Sequence, residues 1–212
     1  QFAKLARSVE ENENSRFDVQ DFSGHRSYCV SAILSAAAFL ESTINEFFSD
    51  TLEYPERFSD SIQDNTLSLL SKMWTLGIPR TATYSIIEKY QIALNIAGLR
   101  EFDLSKNPIQ DLVTLIKMRN ALIHFEPSWH DTKDLTSQQI SKKFQSALRG
   151  KFLENPLTGD NNPFFPDKCL SASMIQWLLK TIISVADQFS EKFEFIPMHE
   201  KIRNHIEDAL SV

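Results

Sequence analysis

Arg119, Asn120 and His124 stand on one segment, Ile109 to about Phe125, whose apolar residues recur at helical spacing until Pro127 ends the pattern. At 100° per residue, Leu112, Ile116, Arg119 and Ile123 fall within about 60° of one another, which places Arg119 on the apolar stripe. A guanidinium stays protonated at any accessible pH and is costly to desolvate alone, so this position demands a carboxylate or an anionic ligand. Lys117, Asn120 and His124 occupy an adjacent stripe, with Asn120 and His124 one turn apart. Two basic groups, an amide and an imidazole thus gather at one helix end. Glu41, on the flank of an apolar face near Leu34 and Asn45, is the expected ion-pair partner of Arg119, whereas Glu46 projects to the solvated side.

The run Arg119-Asn120-Ala121-Leu122-Ile123-His124 resembles the RNxxxH form of the motif of the HEPN superfamily. The resemblance implies a helical bundle over roughly 25–190 and a metal-independent endoribonuclease without a cofactor, in which the RNA strand's own 2'-hydroxyl attacks the adjacent phosphate. His124 would then transfer the proton, a task suited to an imidazole, whose ordinary pKa lies near ~6.5. Arg119 would offer a planar fork to phosphate oxygens and stabilise charge developing in the transition state. Asn120 would orient the imidazole or the phosphate. On an ideal helix Arg119 and His124 point about 140° apart, so one phosphate is not automatically within reach of both. HEPN ribonucleases pair two copies around one cleft, and the resemblance therefore implies a homodimer with a composite site. It also implies a toxin or antiphage-defence component restrained by an antitoxin or regulatory protein. The alternative within the same superfamily is a catalytically inactive module that binds a protein partner or a nucleotide. In that case Arg119 is a buried structural ion and His124 a helix-terminal histidine favoured by the dipole.

Further residues have a sharp and a plain reading. Trp129 and His130 are a stacking platform and base contact, or a loop histidine on an aromatic anchor. Lys133, Lys142, Lys143, Arg149 and Lys151 are a phosphate-tracking strip, or a solvated helix face. His199 and His205 are six apart, off a common helical face, and make no metal pair. Cys29 and Cys169 form neither a disulfide framework nor a zinc pattern of usual spacing and read as small buried hydrophobes. No phosphate-cradling glycine loop, serine nucleophile elbow or dinucleotide fingerprint is present in the sequence.

The elements that must hold these groups are helices. The 212 residues are 42% hydrophobic and 24% charged, with only 5 Gly and 8 Pro, too few turn formers for an all-β chain. The net charge of -6 argues against a protein coated in cations, but residues 61–155 carry 9 acids and 12 bases and are mildly basic. Helical periodicity predicts a short N-terminal helix running into a solvated Glu10–Asn14 turn. Further helices follow at about 25–50, 59–76, 81–97 with Thr81 as cap and Gly98 as stop, 109–125, 137–148, 171–193 and 198–210, with a long loop over 155–166. The expected architecture is all-α, an up-and-down four-helix bundle core with additional terminal helices. The domain reading is an N-terminal helix and linker over 1–24, a bundle over 25–193 with a loop-rich insertion at about 127–170, and a C-terminal helix over 194–212. The longest uncharged stretch, Ser27 to Leu40, is shorter than the ~20 residues that span a bilayer. With no signal pattern at the opening residues, a cytoplasmic protein without a membrane span is expected.

Overall fold

The computed structural model describes residues 1–12, 19–58, 60–81, 83–124, 135–197 and 200. Seven α-helices are placed among them: α1 Phe2–Glu10, α2 Val19–Glu53, α3 Asp64–Thr75, α4 Ile86–Ile96, α5 Ile109–Ile123, α6 Leu135–Leu148 and α7 Ala172–Lys192. No strand occurs among the described residues, so the protein is all-α there. The helix expected at 198–210 lies outside the described residues.

The chain divides into two compact units. The first comprises Gln1–Ala36 and Thr114–Lys180, with a further segment, Asn204–Val212, outside the described residues; the second comprises Ala37–Val113 and Thr181–Arg203. The helices α2, α5 and α7 each contribute residues to both units. The helix α2 also begins at Val19, inside the segment read as linker.

In the second unit an aromatic cluster forms the core. The ring of Phe47 on α2 lies 5.5 Å from Phe58, 5.0 Å from Phe189 and 4.6 Å from Phe193, the first two edge-on, as the ring quadrupole favours. Tyr90 of α4 is wholly enclosed, its ring edge-on to Phe189 and its hydroxyl donating to the Leu40 carbonyl at 2.9 Å. Burial pushes the Tyr90 phenol well above its ordinary pKa, with the Glu41 carboxylate adding to the effect.

The helix α4 starts four residues later than expected. Thr81 does not cap it; Ser85 does, accepting from the Glu88 N–H at 3.4 Å while its own N–H donates to the Glu88 carboxylate at 2.6 Å. The reciprocal box satisfies two end donors at once, whereas a cap at Thr81 has no Glu or Gln three residues on. The Ser85 hydroxyl and then its N–H hold the Glu88 carboxyl below its ordinary value. This support is therefore complete above the ordinary carboxylate pKa and is lost as pH falls through the lowered one. Ser85→Ala should cost about 1 kcal/mol in urea denaturation. Gly98, at φ +67°, ends the helix, and the Leu99 N–H reaches back to the Leu94 carbonyl at 2.9 Å.

In the first unit α6 turns Phe144 and Leu148 inward, and Phe144 meets Phe165 at 4.6 Å. The expected loop over 155–166 runs into a π-helical turn, Phe164–Lys168. It is pinned by Asn155, which is buried and satisfied: its side chain accepts from the Leu157 N–H at 3.0 Å and donates to the Asp167 carbonyl at 3.3 Å.

Hydropathy makes α2 a further case. By length and composition Gln20–Glu53 is apolar enough to cross a membrane, with mean hydropathy 1.4 in its most apolar window, of which 39% is buried inside the protein. The uncharged stretch alone understated the helix. Its residues Cys29, Ile33, Leu40, Ile44 and Phe48 are fully enclosed, the pattern of a core helix.

Candidate functional site

The motif lies in the first unit, at the C-terminal end of α5. Ile109, Leu112, Leu115 and Met118 form the buried side of that helix. Arg119 is half-buried, Asn120 and His124 are exposed, and Ile123 is 53% exposed. Arg119 is thus not embedded in an apolar stripe, as its angular position predicts. The angle is right but the height along the axis differs: the last turn of α5 projects beyond the packed part of the helix. Water can then solvate part of the guanidinium, and the demand for a buried carboxylate disappears.

The Arg119 Nη1 donates to the Asn120 Oδ1 at 2.9 Å. The amide therefore steadies the guanidinium rather than the imidazole. The His124 N–H closes the helix on the Asn120 carbonyl at 2.9 Å, and among the described residues no hydrogen bond holds its ring. An arginine braced by a neighbouring amide can bind an oxyanion, and an exposed imidazole five residues on can move a proton. Lys117 is exposed on the same helix, and Lys142 and Lys143 are exposed on α6. Trp129, His130 and Lys133 lie outside the described residues.

Glu41 is not the partner of Arg119. Its Oε1 takes the Nζ of Lys89, an ammonium only 4% exposed on the buried side of α4. The signal was in the sequence: Lys89 shares the spacing of Ile86, Tyr90, Ala93 and Leu94, all core residues, and a lysine at such a position requires a carboxylate.

A second polar cluster escaped the sequence reading. Glu10 closes α1 instead of opening a solvated turn, and its Oε1 meets the His25 Nε2 at 2.8 Å and accepts the Ala172 N–H, at the start of α7, at 2.7 Å. The His25 ring is 1% exposed and the Cys29 Sγ lies 3.9 Å from it. The spacing of His25 and Cys29, one turn apart on the apolar face of α2, was the available clue. Enclosure leaves this cluster without access to substrate. Burial, with the Glu10 carboxylate beside it, pushes the Cys29 thiol up, and burial raises Cys169 likewise, so neither is a ready nucleophile. Glu10→Ala should cost about 2–3 kcal/mol, since it strips a charged acceptor from both a buried imidazole and a helix-terminal N–H; thermal unfolding unchanged from wild type would remove Glu10 from the core network.

Among the described residues no group of three or more His, Cys, Asp and Glu is arranged to hold a metal ion. A groove of about 100 Å³ in the second unit is lined by Phe39, Thr43, Glu46, Phe47, Asp50 and Phe195 among others, and by none of the motif residues. Compared with known protein families, curated proteins and solved structures, the chain matches none of them.

Proposed function

We propose that the chain is a metal-independent endoribonuclease of HEPN type, with the up-and-down four-helix core of that superfamily and a composite site formed by two copies. The observation that carries the reading is the exposed His124 ring five residues beyond a half-buried Arg119 braced by Asn120. In this reaction a neutral imidazole takes the proton of the 2'-hydroxyl, O2' bonds to phosphorus, and the P–O5' bond breaks. Arg119 neutralises charge on the non-bridging oxygens, and the leaving O5' takes a proton. The products are a 2',3'-cyclic phosphate and a 5'-hydroxyl. A second copy supplies a second imidazole, so that one ring acts as base and the other as acid.

Purified protein incubated with a mixed RNA pool in EDTA should yield fragments with those ends, and light scattering should give a dimer at micromolar concentration. RNA left intact, with a stoichiometric complex formed with another protein, would replace this reading by that of an interaction module. Growth arrest on expression, dependent on His124, is the outcome expected for a toxin or defence component.

A further inference from the structure

From Leu135 to Leu153 the chain carries four basic residues, Lys142, Lys143, Arg149 and Lys151, and no acidic one, although the whole protein has 28 acids against 22 bases. With Phe144 facing the core, Lys142 and Arg149 project about 160° and 140° away from it. Both, with Lys143, are exposed. A merely solvated helix face mixes both signs and gains from Glu–Lys pairs one turn apart. Here none of Lys142, Lys143 and Arg149 joins an ion pair among the described residues. Lys142 and Arg149 stand seven residues apart in line, about 10 Å along the axis. The inner side of α6 is fixed: besides the Phe144–Phe165 contact, the Ser141 hydroxyl accepts the Phe165 N–H at 3.1 Å. Three exposed cations without an ion pair among the described residues, Lys142 and Lys143 on α6 and Arg149 directly after its last residue, are thus held in the same unit as Arg119 and His124.

We propose that the outer face of α6 is a rail for the phosphate backbone of single-stranded RNA. The identity of the polyanion rests on the ribonuclease reading, and the chemistry selects the single strand, because in-line attack by a 2'-hydroxyl requires a sugar–phosphate unit free to leave A-form geometry. The rail reads charge alone and adds no base preference.

The test uses His124→Ala protein, which cannot cleave its ligand under that reading, and a labelled 20-nucleotide single-stranded RNA, with affinity followed by anisotropy over increasing salt. Adding K142E, K143E and R149E should weaken binding at least tenfold. It should also reduce the slope of log affinity against log salt by about 2, as expected for three phosphate contacts on a single strand. Matching thermal melts establish that the variant is folded, and a triple glutamine variant replaces it if charge reversal lowers the melt. Unchanged affinity and slope, or no RNA binding by either protein, overturns the rail. The two readings fail separately. Wild type that binds through these residues without cleaving keeps the rail and loses the nuclease. Wild type that cleaves with a KM unaffected by the triple change keeps the nuclease and loses the rail. Binding to phosphatidylserine vesicles through the same residues, with none to RNA, assigns the face to a membrane surface and overturns the proposal.

Discussion

Under the proposed ribonuclease reading, replacing His124 by alanine is expected to lower RNA cleavage by about 10²- to 10⁴-fold, the range a positioned proton-transfer group contributes. The ring is exposed at the end of α5 and carries no hydrogen bond among the described residues, so its removal creates no cavity and strands no buried polar group. Thermal stability should therefore stay within about 1 kcal/mol of wild type, the scale of a helix-terminal dipole contact. That separation of activity from stability is what distinguishes a catalytic ring from a structural one. Arg119→Ala should lower the rate by about 10²- to 10³-fold, as loss of one oxyanion donor does. Arg119→Lys should recover only part of it, because an ammonium lacks the planar fork that grips two phosphate oxygens. Initial rates on a fluorogenic RNA in EDTA measure all three. A His124→Ala rate within twofold of wild type would remove His124 from the proton-transfer role.

Glu41→Ala is expected to destabilise the protein by about 3–5 kcal/mol, the cost of breaking a buried pair from one side. The asymmetry between the partners makes the prediction specific. Lys89 is 4% exposed and Glu41 34%, so removing the carboxylate strands an ammonium in the core, whereas removing the lysine leaves a carboxylate that water can reach. Lys89→Met, which keeps most of the stem's volume, should cost less than Glu41→Ala, and the double substitution should recover much of the single loss. Chemical denaturation of the four proteins gives the coupling directly. Additive effects would show that the two side chains do not act as a pair.

Helix by helix, much of the secondary structure was legible in the sequence. The apolar spacing along Ile33, Leu40, Ile44 and Phe47 marks α2, and Gly98 marks the end of α4, because a period near 3.6 and a backbone position with positive φ are local properties. The cap of α4 was misplaced for a local reason as well: Thr81 and Ser85 are both good caps, and only the partner at Glu88 separates them.

Partnership was decided elsewhere. Projection places Arg119 correctly around its helix but is blind to where packing stops along the axis, and that alone turns an apparently buried guanidinium into a half-exposed one. The choice of Lys89 over Arg119 as partner of Glu41, and of Glu10 for His25 and the first N–H of α7, joins residues 48, 15 and 162 positions apart. Periodicity in the chain determines which face of each helix is apolar. Which charged group meets which depends on desolvation at contacts between distant segments, a quantity that exists only once those segments have packed.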